Sequence, residues 1–443
     1  MKKNLGTSAP IASAVFMGLG HILFLKQYIK GILFSALEII VLLNSGIFAK
    51  AIHGLISLGE PKPHLPVAQR DNSTFMMLDG LIAVVFLIIF FLIYIWNIVD
   101  ARKVGKKYDK TGELQTEREF LHDLGEKAFS YVALSPAFVM IAFFVIIPLV
   151  YAFLVAFTNY SAPNHIPQKN TVDWVGFETF SEMIKIKHFS QAFARTALWT
   201  VEWAFLGTVT CYFGGMFLAL ALLDKKIKIA GFFRTIFILP YAVPAMISLF
   251  IWNILLNGQF GPINRAFREL GIMQWLQSIG ILDRDIIPWL SEPTLARIML
   301  IVVNLWLGFP YFMLMITGIM TSMSRDIFEA ATIDGASKSQ QFRYITFPLL
   351  MYQTLPLLIM SFSYNMNNFG GVFFLTNGNP PDTITTQSFA GTTDTLITWM
   401  YKLTLDQRLY NKASVVAIIM FLIIAPFAMY QFSRTKSFKE GEL

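Results

Sequence analysis

Met77-Leu78-Asp79-Gly80-Leu81-Ile82-Ala83-Val84-Val85-Phe86-Leu87-Ile88-Ile89-Phe90-Phe91-Leu92-Ile93-Tyr94-Ile95-Trp96-Asn97-Ile98-Val99 holds a single ionisable group of either sign apart from its tyrosine. A bilayer core is crossed by about 20 predominantly apolar residues of helix. Inside it, every backbone N–H and C=O must find a partner within the segment. This stretch therefore reads as a membrane-spanning helix. Blocks of the same kind run over 31–49, 133–157, 197–223, 232–256, 298–320, 345–369 and 414–432. The expected fold class is an all-α polytopic membrane protein of about eight transmembrane helices. A further stretch, 10–25, is interrupted by Gly18, Gly20 and His21 and is too short to cross. It reads as a re-entrant or interfacial segment.

Composition agrees. The 443 residues are 55% hydrophobic, 15% aromatic and only 14% charged, against about 25% charge in a soluble domain. The net charge of +7 does not indicate nucleic acid, because the basic residues cluster in short loops beside apolar blocks. Arg102, Lys103, Lys106, Lys107, Lys110, Arg118 and Lys127 follow the second block; Lys225, Lys226, Lys228 and Arg234 follow the fourth; Arg434, Lys436 and Lys439 follow the last. With eight spans all three clusters share one side, which reads as cytoplasmic, and both termini lie there. The start, Met1-Lys2-Lys3, is followed by no clean small-residue cleavage site, so no removable signal peptide is expected. Cys211 is the one cysteine, which excludes a disulfide framework and a Cys-based metal cluster. No metal or cofactor is expected. Prolines 136, 148, 240, 244, 310, 348, 356 and 426 punctuate the spans and favour kinks. The expected organisation is an N-terminal part, 1–130, and a core of six spans, 131–443, with a loop at 321–348.

That loop reads Arg325-Asp326-Ile327-Phe328-Glu329-Ala330-Ala331-Thr332-Ile333-Asp334-Gly335-Ala336 and continues through Arg343-Tyr344-Ile345-Thr346-Phe347-Pro348-Leu349. Glu329, Ala330 and Ala331 are good helix formers. Gly335 permits the positive backbone angle that ends a helix and redirects the chain, and Pro348 suits a helix start. Two short helical pieces with a glycine hinge are expected. The string resembles the cytoplasmic loop of binding-protein-dependent ABC importer permeases: Glu-Ala-Ala, three residues, Gly, nine residues, Ile, one residue, Leu-Pro. It departs from that pattern at Phe347, where Leu is usual. The resemblance implies the type I importer permease fold, and a loop in which Glu329, Ala330, Ala331, Asp334, Gly335 and Ala336 dock on an ATPase dimer. It also implies a sister permease subunit, an extracellular solute-binding protein and a bacterial plasma-membrane location. No Gly-Lys-Ser/Thr phosphate loop occurs, so the chain itself is not expected to hydrolyse ATP or to act as an enzyme.

The resemblance runs on from about Arg234 to Leu443. It is carried by Phe237-Ile238-Leu239-Pro240-Tyr241-Ala242-Val243-Pro244, Asn304-Leu305-Trp306-Leu307-Gly308-Phe309-Pro310-Tyr311, Asn365-Met366-Asn367-Asn368-Phe369 and Thr393-Asp394-Thr395-Leu396-Ile397-Thr398-Trp399-Met400-Tyr401. These are similar to the larger permease subunit of maltose and maltodextrin importers. The outer loop 158–195 is short where enteric members carry an extra domain, which suits the Gram-positive or a related branch. The resemblance implies a sugar cavity near mid-membrane lined by Asn304, Leu307, Gly308, Tyr311, Ser361, Asn365 and Asn368, with Gln259 a further contact.

The residue types fit an oligosaccharide: a neutral sugar takes amides, hydroxyls and an aromatic face. Ser361, Asn365 and Asn368 are four and three apart, one face of a continuous helix; Asn304, Gly308 and Tyr311 are placed alike. The same amides could instead bond helix to helix, the reading preferred for Asn367, whereas for the two triplets the cavity role is preferred. Trp399 and Tyr401 suit an interfacial aromatic belt. Two other classes fare worse. An ion-coupled transporter needs ionisable groups at mid-membrane, and only Glu38 and Glu202 are placed for that, each unpaired within its own span. A membrane-embedded enzyme needs a cluster such as paired histidines with a carboxylate, but the six histidines are scattered.

Overall fold

The computed structural model describes residues 4–433 apart from 67–68, 115, 127–128, 167–169, 225 and 384–385. Lys127, Lys225, Arg434, Lys436 and Lys439 of the basic clusters, and the start Met1-Lys2-Lys3, lie outside the described residues. The chain divides into two compact units, Met1–Thr179 and Phe180–Leu443.

The first unit holds α1 (Leu5–Val15), α2 (Leu19–Leu23), α3 (Tyr28–Leu43), α4 (Ser45–Ser57), α5 (Ser73–Thr111), α6 (Glu117–Glu126), α7 (Phe129–Ile141) and α8 (Ile147–Val155). Its axis is α5, which is started by the Asn72 side chain accepting from the N–H groups of Thr74 and Phe75 and ended by Gly112 at φ +75°. Against α5 lies the segment that the sequence marks as too broken to span. Asp109 accepts the N–H groups of Leu5 and Gly6 at 2.9 and 2.8 Å, placing a carboxylate at the positive end of α1. Tyr94 donates to the Ala14 carbonyl, and the chain then reverses. Asn97, fully buried, accepts from Gly18 N–H and donates to the Ser13 carbonyl. The return leg brings His21 to Asp100 at 2.9 Å, and Ile29 N–H to Glu117.

The hairpin thus enters beside Asp109, turns level with Tyr94 to Asn97 and returns to the same end of α5. It is re-entrant. The reversal needs Gly18, which sits at φ +78° with the Gly31 carbonyl where a Cβ would be.

The second unit begins with most of α9 (Glu178–Lys185) and continues with α10 (Lys187–Leu223), α11 (Ala230–Ala242), α12 (Ala245–Leu255), α13 (Pro262–Glu269), α14 (Ile272–Ser278) and α15 (Pro293–Ser322). Then come α16 (Arg325–Ile333), α17 (Lys338–Gln341), α18 (Phe347–Met366), α19 (Phe369–Thr376), α20 (Leu396–Tyr401) and α21 (Tyr410–Ser433). Its core joins α10, α15 and α18 through Tyr212, Met216, Phe312, Met313, Ile316 and Leu350. Small residues let the first two helices approach: Gly308 lies against Cys211 Sγ, and Gly215 against Phe312, the packing that membranes favour. α15 is capped by Glu292, whose carboxylate accepts from Leu295 N–H at 2.6 Å and Thr294 N–H at 3.0 Å. Those bonds hold its carboxyl below the ordinary range.

All eight apolar blocks fall on helices, but not all as straight rods. Among the described residues, five stretches are long and apolar enough to cross a membrane unbroken: Ser73–Thr111, Phe129–Val155, Lys187–Leu223, Pro293–Ser322 and Lys338–Met366. Blocks 31–49 and 232–256 are bent pairs, α3 with α4 by 56° and α11 with α12 by 94°. The sharper bend has a plain cause. Pro244 lacks an N–H and pushes the residue before it out of helical geometry; Val243 is accordingly extended at φ −92°, ψ 134°. Pro148 and Pro348 behave differently. Each is preceded by a turn of π-helix, Ala142–Ile146 and Phe342–Thr346, a wider winding that carries the helix through. The described apolar part of α21, Tyr410–Pro426, is shorter.

Candidate functional site

Where α11 breaks and α12 begins, the second unit encloses a cavity of about 690 Å³. Three walls meet there. The break contributes Pro240 to Met246, α10 and α15 contribute Trp203, Leu300, Asn304, Leu307 and Gly308, and the α18–α19 junction contributes Tyr364, Asn367 to Gly371 and Phe374. Among the described residues its lining carries no charged side chain. What it offers is amides, phenols, indole and a helix start, the equipment for a neutral, hydroxyl-rich ligand.

The structure brings Asn304, Leu307, Gly308 and Asn368 together on this cavity and leaves Gln259, Tyr311, Ser361 and Asn365 off its lining. The reason is local. α18 ends at Met366, with Asn367 as its C-cap; Asn368 is the N-cap of α19, accepting Gly371 N–H at 3.0 Å. Ser361, Asn365 and Asn368 therefore do not share one helix face. Asn365 is buried and donates to the Thr208 hydroxyl at 3.0 Å, a bond from α18 to α10. Asn367, expected as helix-to-helix glue, lines the cavity instead, and its side-chain amide donates to the Ser363 carbonyl one turn earlier in α18. Tyr311 is 41% exposed, with its ring edge-on to Phe312. Gln259 is exposed in the turn after α12, its N–H bonded to the Asn257 side chain. Asn304 serves two surfaces, lining the cavity while its amide reaches the Gly207 carbonyl at 3.4 Å.

Trp203, Tyr241, Tyr364 and Phe374 are among the lining residues that the sequence reading missed. For Tyr241 the signal was present: two prolines four apart in 237–244 mark a broken span, and broken spans are where membrane binding sites form. Trp203 had no such mark.

The loop at 321–348 folds as two helical pieces about a glycine. α16 ends at Asp334, Gly335 takes φ +82°, and Ser337 caps α17 in a reciprocal box with Gln340. Gln341 ties the pieces by donating to Thr332 and to the Ala336 carbonyl. Glu329, Ala330, Asp334 and Gly335 are exposed and Ala331 and Ala336 half-buried; Ile333 beside them is 86% exposed.

The two acidic groups that an ion-coupled transporter would use are both engaged. Glu38 accepts Met17 N–H at 2.5 Å, and Glu202 lies 3.9 Å from Arg297. Just before α20, Asp394 is buried and paired with Lys402 at 2.7 Å. Burial pushes its carboxyl up, against the pull of that lysine.

Residues 211–434 match the family model described as binding-protein-dependent transport system inner membrane component. The galactooligosaccharides transport system permease protein GanP of Bacillus subtilis (strain 168) is 35% identical over 433 residues, 96% of this chain and 97% of that protein. The maltodextrin transport system permease protein MalC of Streptococcus pneumoniae serotype 4 is 34% identical over 441 residues, 99% of this chain and 98% of that one. The maltose/maltodextrin permease MalF of Photorhabdus laumondii is 35% identical over 265 residues, 59% of this chain and 49% of that protein. Among solved structures, a bacterial ABC transporter involved in alginate import superposes with a TM-score of 0.54 at 20% identity, covering 72% of this chain and 99% of that chain. That likeness is one of fold.

Proposed function

Since the chain belongs to the binding-protein-dependent transport system inner membrane components, we propose that it is the permease subunit of an ABC importer carrying maltose- and maltodextrin-type oligosaccharides. Transport proceeds by alternating access and is driven by ATP hydrolysis on separate subunits. The observation that carries the reading is the uncharged cavity at the broken span, walled by Asn304, Asn367 and Asn368 beside Trp203, Tyr241 and Tyr364. Amides pair with sugar hydroxyls, and flat rings pack on the apolar faces of pyranoses. A charged substrate would find no counter-charge there among the described residues.

The partners follow from the class: a sister permease, a cytoplasmic ATPase dimer and an extracellular solute-binding protein. Glu329 to Ala331 and Asp334 to Ala336, in a loop with an exposed apolar tip at Ile333, form the surface that seats on the ATPase. Residues 1–130 act as an accessory part and 131–443 as the transporting core. Both termini and the loop face the cytoplasm. Galactooligosaccharides fit the same lining, and a relative named for them is as similar as one named for maltodextrin.

The deciding experiment reconstitutes the complete complex and measures binding-protein-stimulated ATP hydrolysis and uptake. The panel is maltose, maltotriose, longer maltodextrins and galactooligosaccharides. Stimulation and uptake by the glucose-based series are expected. Uptake that needs no ATP and follows an ion gradient would overturn the reading.

A further inference from the structure

Trp203 is fully buried on the wall of the cavity, yet its Nε1–H has no hydrogen-bond partner among the described residues. Three other tryptophans of this unit behave otherwise. Trp199, one turn earlier on α10, donates to the Thr393 carbonyl at 3.0 Å; Trp289 donates to Asn264 at 2.8 Å and Trp399 to the Ser388 carbonyl at 2.8 Å. A buried donor left unpaired is destabilising, and such groups in native proteins call for an explanation. Each of the three amides on the lining already makes a bond within the protein, Asn304 to the Gly207 carbonyl, Asn367 to the Ser363 carbonyl and Asn368 from Gly371 N–H. The indole N–H is thus a donor with its full capacity unspent.

We propose that Trp203 is a saccharide-contacting, specificity-determining residue, its Nε1–H donating to a hydroxyl of the transported sugar; this rests on the oligosaccharide reading above. The cover over the indole is the first turn of α19. Gly371 lies so close that a Cβ there would meet Trp203 Cζ2 at 3.1 Å. The far end of that short helix is tethered: Asn253 donates to the Leu375 carbonyl at 2.7 Å, and the Thr376 and Thr393 hydroxyls bond at 2.9 Å. A shift of the Asn368–Gly371 turn away from the ring opens the N–H to the cavity. The sugar then gains this bond only in the shifted state, and binding favours that state.

The test is Trp203→Phe in the complete complex, assayed for uptake of maltotriose and of its monodeoxy analogues. Loss of one hydrogen bond is expected to raise KM for maltotriose about tenfold. The penalty should vanish for the one analogue that lacks the accepting hydroxyl. An equal penalty on every analogue means that the ring only packs, and an unchanged KM means that it makes no contact; either overturns the assignment. If Trp203→Phe lowers complex yield, a benzothiophene analogue of tryptophan installed at 203 keeps the shape and deletes only the N–H. Absence of sugar uptake by the wild-type complex defeats the oligosaccharide reading itself. Wild-type uptake matched by the variant on all analogues defeats only the role of Trp203.

Discussion

At the scale of single residues, the amides divide by what they touch. Asn365 is bonded to Thr208 in the interior, so Asn365→Leu leaves a buried hydroxyl unpaired and costs about 1–3 kcal/mol. The expected lesion is low complex yield with KM for sugar close to normal; a normal yield with weakened sugar dependence would place Asn365 at the substrate after all. Asn368 is the opposite case, lining the cavity and capping α19. Asn368→Ala loses the cap, about 1 kcal/mol, together with a sugar-facing amide. Uptake should fall while assembly survives, and the two are read from one preparation. Of the expected residues, Asn304, Leu307, Gly308 and Asn368 line the cavity, and α15 is continuous through the first three. Spacing did not reveal that Ser361 and Asn365 part from Asn368, because it assigns faces only within one helix and the chain changes helix at Asn367; Tyr311, on α15 itself, lies off the lining. The hint lay in Asn367-Asn368 ahead of Gly370-Gly371, a capping residue before a flexible start.

Whole elements were more legible than their breaks. Apolar length identified every candidate span, since in lipid the backbone must satisfy itself and helices follow. Proline alone did not say which spans bend. Pro148 and Pro348 ride on π turns, whereas Pro244 turns the chain by 94°; the difference depends on whether neighbours can hold a wider winding. The loop at 321–348 tests the same logic of backbone angle. Gly335 sits at φ +82°, which proline, fixed near −65°, cannot adopt. Gly335→Pro must rebuild the link between α16 and α17. Uptake is expected to drop at least about tenfold, equivalent to about 1.4 kcal/mol of coupling, with membrane insertion unchanged. Glu329→Lys, which reverses a charge on the exposed face of α16, should act alike. Wild-type uptake in both variants would show that the loop does not transmit ATPase closure.

At the scale of the molecule, everything turns on parity. If α1 and α2 form a re-entrant hairpin, eight crossings follow and the loop at 321–348 falls on the same side as both termini. If that segment crosses, each later loop changes side, and the ATPase-docking surface would face outward. The hydrogen bonds support the hairpin: Leu5 and Gly6 meet Asp109 near the basic end of α5, and Ile29 meets Glu117 at the start of α6 just beyond it. The turn at Gly18 reaches no further along α5 than Tyr94 to Asn97. An anionic cap on α1 and a pair from Lys30 to Asp100 keep the charges at that end, where snorkelling to the interface is cheap.

Cysteine mapping tests the parity directly, because the one native thiol, Cys211, is buried and offers little background. Glu60→Cys and Asp283→Cys should react with a membrane-impermeant maleimide in intact cells. Asn4→Cys, Tyr28→Cys and Lys338→Cys should react only after permeabilisation. Asn4 and Tyr28 bracket the hairpin, so they must behave identically. Labelling of Tyr28→Cys from outside, with Asn4→Cys protected, would convert the hairpin into a span and overturn the orientation of every loop that follows it.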